Sequence, residues 1–588
     1  MRGQGYNAVS PLGKLLRLQE RKPGLLDLVA RHVAIVGVLR SYRRQDLPHD
    51  LVAGLVLGIV TIPQAIAYAF LAGLPAQAGL YACLAPMVIY AALGSSRQLV
   101  VGPVAIAALM VAAAVGEHAA AYSDQYLAIV TVLSLQVGIL LMVLRAMQLG
   151  GIVNLLSHPV ISGFVNAAAV LIIVSQLGAF TGIDVPTETG AAAQLAALTA
   201  SLGVLDGTTL ALGLASLVVL ILVARYGPAV VRAKSTDHPI ARAGPVLVAA
   251  GATAAVVLMG LDVETVGFVP AGLPVLTVPW VDPALWWDLA PNALLIGLVA
   301  YVESYTVGTT LASRRKERLD SHRELVALGA ANVGAAFSGA YPVAGSFTRS
   351  GVNVAAGGRT PVSVLSCAVV ILVALLWLTP AFEHLPHAAL AAIVIASVWG
   401  LIDFRATVRH WRFYRPDVVT HFATLGGVLL AGVEAGLVLG VSVSVVLFMR
   451  GSSRPHIAVV GRLGDSTHFR NVERYEVRTW PHIVAARVDE SLYFANANQV
   501  EGRLWALCGE GRAETQHLVL VMTAVNFIDT TGLEMLHRLN DRLDKAGVAL
   551  HLCEAKGPVR DQLAHIAPAD WLTGDVFGTT DEAFNALT

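Results

Sequence analysis

The chain has 588 residues, of which 56% are hydrophobic and only 14% charged, against about 25% charged in an ordinary soluble domain. Forty basic and forty acidic residues cancel, so the basic excess that a nucleic-acid partner demands is missing. This composition excludes a disordered chain, a collagen-like fibre and a plain soluble enzyme.

The charge is unevenly placed. Residues 1–50 are polar and basic, with no short apolar core followed by a cleavage site, so they read as a cytoplasmic N-terminal segment and not as a signal peptide. Residues 51–96 then contain no Asp, Glu, Lys or Arg, whereas the stretch after Arg450 is charged like a soluble domain. A membrane domain over 51–450 and a soluble domain over 451–588 follow from that contrast.

A helix needs about 20 apolar residues to cross the hydrocarbon. Apolar runs between charged or Pro/Gly breaks predict segments at 51–70, 79–95, 103–115, 127–145, 157–180, 207–225 and 244–262. Seven more follow at 293–312, 323–340, 346–358, 361–379, 387–403, 417–432 and 434–450. The fold class is thus a polytopic α-helical membrane protein of fourteen transmembrane segments. With the N-terminus inside, the basic residues Arg43, Arg44, Arg97, Arg145, Arg315 and Arg450 fall in inside loops, while Glu117, Asp124, Asp184, Glu188 and Glu383 fall outside. This is the distribution that the positive-inside rule predicts for a plasma-membrane protein with both termini cytoplasmic.

Segments 103–115 and 346–358 are too short to cross alone. Each is third in its set of seven and follows a Gly/Pro break, Val101-Gly102-Pro103-Val104-Ala105 in one and Tyr341-Pro342-Val343-Ala344-Gly345-Ser346-Phe347-Thr348-Arg349 in the other. Seven spans per half make the halves inverted, and paired interrupted segments mark a transporter's binding site. A half-helix that starts in mid-membrane presents unpaired N–H groups and about half a positive charge. Two such ends facing each other form an anion site. In this reading Gly102 and Gly345 admit the ligand to the backbone, and Ser346 and Thr348 add hydroxyls. The bland alternative is a pair of kinks, which membrane helices tolerate.

Gln64 and Tyr68 lie four apart in the first span and share a face, as site walls or as a helix-packing pair. Glu303 sits deep in the eighth span, where a carboxylate is costly unless protonated, paired or wet. It is a coupling candidate, with a backbone-bonded neutral Glu as the alternative. Arg349 stays charged when buried, and either pairs with Glu303 or adds positive field to the anion gap. The cysteines Cys83, Cys367, Cys508 and Cys553 form no CxxC pair, so neither a disulfide framework nor a metal site is expected, nor any cofactor. No Walker loop, dinucleotide fingerprint or hydrolase elbow occurs, which argues against an ATP-driven pump and against an enzyme.

After residue 455 short alternating runs predict strands at 483–488, 518–522 and 548–552, with helices near 496–509 and 532–546. That alternation predicts a small α/β domain. Asp529-Thr530-Thr531-Gly532 falls at a strand-to-helix handover, where Asp or Thr makes a good N-cap.

Taken together, Ile62-Pro63-Gln64-Ala65-Ile66-Ala67-Tyr68, Gly79-Leu80-Tyr81, Val101-Gly102-Pro103, Ser157-His158-Pro159 and Gly345-Ser346-Phe347-Thr348-Arg349 resemble the SulP/SLC26 anion transporters. The tail, through Leu492-Tyr493-Phe494 and Asp529-Thr530-Thr531-Gly532, resembles a STAS domain. The resemblance implies a 7+7 inverted repeat with core and gate domains, elevator-like alternating access, and a homodimer embedded in lipid. It maps Gln64, Tyr68, Val104, Ala105, Phe347, Thr348 and Arg349 onto the substrate region and Glu303 onto the coupling position. Sodium-driven bicarbonate members carry Asp there with Thr one turn on; here the pair is Glu303 and Val307, which favours protons over sodium. Thr530 stands where related anti-sigma antagonists carry a phosphorylated Ser, making it a candidate phosphorylation site. The expectation is a secondary transporter of a small anion, sulfate first, coupled to protons. Bicarbonate or a C4-dicarboxylate is the alternative within the family, and an anion-sensing or channel-like membrane protein the alternative of another class.

Overall fold

The computed structural model describes residues 34–40, 42–148, 157–183, 185, 191–201, 203, 205–230, 243–403, 412–508, 514–565 and 567–588. Most of the predicted N-terminal segment, and the predicted loop charges Asp184 and Glu188, lie outside those residues. The chain divides into two compact units, Met1–Val441 and Ser442–Thr588.

The first unit is helical. It begins with α1 (Ala34–Arg40), α2 (Leu47–Leu71), α3 (Ala76–Tyr81) and α4 (Ala85–Leu93), then a two-residue strand β1 (Val101–Gly102) and α5 (Ala105–Gly116). There follow α6 (Asp124–Ala146), α7 (His158–Thr181), α8 (Ala191–Ala200), α9 (Gly207–Val230), α10 (Gly244–Met259) and α11 (Pro283–Asp288). Next come α12 (Ala290–Arg314), α13 (Ser321–Phe337), strand β2 (Ala344–Gly345), α14 (Phe347–Ala355), α15 (Val362–Val373) and α16 (His387–Trp399). Helices α17 (Arg415–Ala431) and α18 (Val433–Ser452) close the series. Each of the fourteen predicted segments contains helix, and among the described residues eight stretches are long and apolar enough to cross a membrane.

The departures have local causes. Helix α2 starts at Leu47, ahead of the predicted residue 51, because Pro48 suits a first turn. The predicted segment 79–95 is two helices, with Pro86 in the first turn of the second. Helix α15 runs on through a π turn (Ala374–Leu378) and a 3₁₀ turn (Thr379–Phe382), at Pro380, which has no N–H to continue an α ladder. The short helices α8 and α11 lie outside the predicted segments.

The repeat meets itself at β1 and β2. They pair antiparallel, Val101 opposite Gly345 and Gly102 opposite Ala344. Side chains hold the crossing in place: Ser350 Oγ accepts the Val100 N–H at 2.9 Å and Ser304 Oγ accepts the Gly345 N–H at 2.7 Å. Asn332 of α13 clamps the approach to β2, accepting from the Val343 N–H at 2.9 Å and donating to the Val343 carbonyl at 3.1 Å. Further buried polar contacts tie the loops near one end of these helices. Glu324 of α13 accepts from Tyr90 Oη (2.8 Å), Ser95 N (2.9 Å) and Ser95 Oγ (2.7 Å). Asp50 of α2 accepts from Arg359 N (2.7 Å), Thr360 N (3.1 Å), Thr360 Oγ1 (2.6 Å) and Tyr42 Oη (3.1 Å). Buried carboxylates persist where their lone pairs are filled in this way. Burial and the Asp50 charge together push the Tyr42 hydroxyl up to about 12.

The second unit is an α/β domain with a six-stranded sheet in the order β4-β3-β5-β6-β7-β8. The strands are β3 (Ile457–Arg462), β4 (Phe469–Asn471), β5 (Ile483–Val488), β6 (His517–Val521), β7 (Ala549–Cys553) and β8 (Val576–Phe577). From β5 to β8 they run parallel; β3 is antiparallel to both its neighbours. Helices α19 (Ala497–Cys508), α20 (Thr530–Asp544) and α21 (Gly557–Ala564) bury Leu504, Leu536 and Leu563 against one face. Helix α22 (Thr580–Leu587) covers the other through Phe584, and Arg462 fastens it by bonds to Asp581 (2.7 Å) and Asn585 (2.8 Å). The three predicted strands and two predicted helices are present within two residues at each end; the predicted elements do not include β3, nor β4 and β8, which are only three and two residues long.

Candidate functional site

The β1–β2 crossing hands over directly to two helix starts. Helix α5 begins three residues after Gly102 and α14 two residues after Gly345. Because the strands are antiparallel, the helices leave in opposite senses and their N-termini lie at the crossing. The residue before α5 is Val104, whose side chain offers no cap to the first N–H groups, and helix geometry leaves those groups without intrahelical acceptors. At α14, Ser346 Oγ caps the Arg349 N–H at 3.4 Å.

Among the described residues Arg349 is the largest fully buried side chain, 1% exposed. Its Nη2 donates to the Pro103 carbonyl at 2.5 Å, and its Nη1 lies 4.0 Å from Cys83 Sγ. The guanidinium therefore staples the start of one short helix to the approach of the other. Among the described residues no ion pair joins it to Glu303, so of the two roles expected for it the salt bridge is not formed. The expected role of the glycines also changes. A Cβ on Gly102 would come within 2.8 Å of Arg349 Nη1, and one on Gly345 within 3.0 Å of Ser304 Cα. Both glycines make room for protein groups, and ligand access need not be invoked for either. Arg349 Nε and the Tyr341 hydroxyl are buried and make no hydrogen bond to protein. Unfilled donors of this kind beside a helix start suit water or an anion.

A cavity of about 120 Å³ lies next to this crossing, room for a few waters at about 30 Å³ each. Ile106 of α5, Phe347 of α14, and Val302, Glu303 and Thr306 of α12 form one side. Ile161, Phe164 and Val165 of α7, with Leu401 and Leu437, form the other. Phe347 is 46% exposed into this space although it starts a short helix in an apolar body. Glu303 is half-buried and makes no hydrogen bond to protein among the described residues.

Of the sequence-predicted residues, Glu303 and Phe347 share the cavity wall. Val104, Ala105 and Ser346 are buried at the helix starts, and Thr348 is exposed beside Phe347. Gln64 and Tyr68 are buried in α2. Sequence reasoning missed Ser304, Ser350, Asn332, Cys83 and Tyr341. Ser304 directly follows Glu303, and Asn332 is a lone amide in an apolar helix; a polar residue inside an apolar span was the signal available for both.

In the second unit Asp529 caps α20. Its Oδ1 accepts the Gly532 N–H at 2.7 Å, and its Oδ2 accepts the Phe494 N–H at 2.9 Å. Thr530 is exposed at the first helical position.

Two short helices starting from crossed strands inside an apolar helical body, beside a small cavity with a carboxylate on its wall, point to a membrane transporter. The comparisons place it more closely. The sulfate permease family matches residues 47–424 and the STAS domain family residues 474–583. The chain is 35% identical over 544 residues to a probable sulfate transporter, 4.2, of Arabidopsis thaliana, covering 90% of this chain and 79% of that one. It is 31% identical to a probable sulfate transporter of Mycobacterium tuberculosis, covering 93% and 96%. The murine Solute Carrier 26 family member A9 anion transporter, solved in an inward-facing state, shares the fold with a TM-score of 0.87 at 23% identity over the full length of both chains. The chain belongs to the sulfate permease family: it is an integral membrane anion transporter with a STAS domain.

Proposed function

We propose that the protein is a secondary active transporter of a small oxyanion, sulfate first, driven by protons. The observation that carries this reading is the β1–β2 crossing. It brings two helix N-termini together, that of α5 without a side-chain cap, beside a cavity whose wall holds both Phe347 and Glu303. Sulfate is supported by the names of the relatives in Arabidopsis thaliana and Mycobacterium tuberculosis.

In this mechanism the anion sits between the starts of α5 and α14, lined by Val104, Ala105, Ser346, Phe347, Thr348 and Arg349, with Gln64 and Tyr68 behind. The helix N-termini and Arg349 supply positive field without a cage of basic side chains. Phe347 faces the cavity and excludes water. A proton on Glu303 removes a negative charge beside the anion, so proton and anion favour each other's binding equally. The cavity has walls from α5, α12 and α14 on one side and α7 and α18 on the other. That division supports an elevator in which the first group, with α2 and α15, shifts against the second. Fourteen crossings in a 7+7 repeat over 51–450, a STAS domain over 451–588, cytoplasmic termini in the plasma membrane and a homodimer belong to the same proposal. So does phosphorylation at Thr530, where a phosphate would gain from the helix N-terminus.

The test is uptake of labelled sulfate into proteoliposomes with an imposed pH gradient, run against bicarbonate and dicarboxylate competitors. Sulfate accumulation that follows the proton gradient supports the proposal. Binding without accumulation would instead make the site a sensor.

A further inference from the structure

Residues 262–282 form an extended strap between α10 and α11, and residues 266–281 within it carry no charged side chain. The strap's backbone is fastened at five points, at one of which Glu264 O accepts from His387 N (3.0 Å). Val266 N donates to Leu385 O (2.9 Å), Gly267 N to Glu383 O (3.0 Å), Gly272 N to Leu375 O (3.2 Å) and Thr277 N to Phe337 O (3.0 Å). Val269 and Pro279 point inward and are buried. Six large apolar side chains point the other way. Phe268, Val275, Leu276, Val278 and Trp280 are 75–82% exposed, and Leu273 is 59% exposed. Surfaces of that kind mark contact with a membrane or another chain.

The backbone decides how deep such a segment can lie. Among the described residues, the N–H groups of Phe268, Leu273, Val275, Leu276 and Trp280 make no hydrogen bond to protein. In the hydrocarbon centre each unpaired group would cost several kcal/mol, so water must reach this backbone. Pro270, Pro274 and Pro279 remove three further donors. Tryptophans mark the level where water and acyl chains meet, and Trp280 is exposed here, as is Trp287 just beyond. The last residues of helix α10, Leu258 and Met259, are also 84% and 71% exposed. The acidic Asp262, Glu264 and Asp282 flank the strap, and no Lys or Arg lies between Arg242 and Arg314, the pattern of an outer loop.

We propose that residues 266–281 lie in the outer interface of the bilayer as a non-helical strap. Its apolar side chains enter the acyl region, and its backbone stays at the hydrated headgroup level. The partner is the lipid surface itself. A second copy of the chain is disfavoured because an extended edge with free donors would pair with it strand to strand, whereas three prolines interrupt this edge.

The test uses full-length protein in liposomes. A single environment-sensitive fluorophore is attached at Val278→Cys, or at Leu276→Cys if the first variant fails to fold; the four native cysteines are buried. The proposal expects most of the fluorescence to be lost with phospholipids brominated on the acyl chains, and little with aqueous iodide. A label at Glu264→Cys should show the reverse. Quenching by iodide and not by brominated lipid at position 278 overturns the proposal. So does a disulfide formed between two Val278→Cys protomers, which would place a second copy on this face.

Discussion

Helices α12 and α13 follow one another in the chain, and each carries one buried or half-buried carboxylate. Glu324, in α13, is wholly buried and accepts three hydrogen bonds from Tyr90 and Ser95. Glu303, in α12, faces a cavity and accepts none from protein among the described residues. The same residue type in the same apolar setting thus does two different things. A carboxylate whose lone pairs are filled is part of the frame, holding the loop before β1. One left open to a cavity is available to a proton or to the field of an anion. Glu303 is the less buried of the two, and the inventory of donors around each fixes the difference.

The largest effect should come from Glu324→Ala. It leaves the Tyr90 hydroxyl and both Ser95 donors without their acceptor, and hydrogen bonds to a charged group contribute about 1.5–3 kcal/mol each. We expect a large fall in Tm and loss of monodisperse protein on size exclusion, whatever the anion present. A well-folded Glu324→Ala protein would dissolve the contrast between frame and site.

Arg349→Ala should come second. The guanidinium belongs to both sides of the comparison, since it fastens the Pro103 carbonyl and also adds charge at the start of α14. Its removal should lower stability by about 1–3 kcal/mol through the abandoned carbonyl, and it should weaken anion affinity by roughly tenfold to a hundredfold. Arg349→Lys keeps the charge without the planar fork, so affinity should recover further than Tm does. Isothermal titration alongside thermal unfolding separates the two. Unchanged affinity in Arg349→Ala would make Arg349 a staple and nothing more.

Glu303→Gln should be milder in structure and sharp in function. With no protein hydrogen bond to lose, Tm should stay near wild type. Anion binding should persist, because the amide stands in for the protonated acid, while acceleration of uptake by an inward proton gradient should vanish. Glu303→Gln vesicles that still concentrate anion in response to that gradient would move the proton elsewhere and leave Glu303 on the structural side of the comparison.

The part of this architecture that was legible in the sequence is the part set by long patterns. Apolar runs located the helices, the Gly/Pro breaks located both short helices, and Glu303 stood out as a carboxylate inside an apolar span. What could not be read were the pairings between distant segments. That Arg349 reaches back to Pro103, Ser304 to Gly345 and Glu324 to Ser95 depends on how the two halves cross, over separations of 41 to 246 residues. The glycines were read correctly as close approaches and given the wrong neighbour, because sequence shows that a Cβ is missing but not what fills its place. The strap at 262–282 has no periodicity of either kind and showed itself only as a gap between segments.

The smallest effect carries the same contrast into the second unit, with histidines in place of carboxylates. His551 Nδ1 accepts the Asp575 N–H at 2.9 Å, which leaves Nε2 as its N–H; that nitrogen faces His517 Nδ1 at 3.1 Å. Each ring is therefore held neutral by its partner, as a filled group in the sense of Glu324. Burial lowers the affinity of both for a proton, and each is further lowered by a neighbouring histidine, His517 acting on His551 and His482 on His517. Asp575 opposes this at His551 without reversing it. The native pKa values thus lie below the ordinary 6.5, and the unfolded state takes up protons first as pH falls. Stability from this pair should be complete above pH 6.5 and should drain away below it. Since His551 holds Asp575 and His482 reaches the Leu587 carbonyl at 3.3 Å, the loss should show first at β8 and α22. Hydrogen exchange of residues 575–587 in the full-length protein should quicken between pH 7.5 and pH 5.5 beyond the intrinsic pH dependence of exchange. His517→Asn should flatten that response. A segment whose protection is independent of pH in the wild type would show that the two rings titrate freely, and that the pair is not a filled, neutral contact at all.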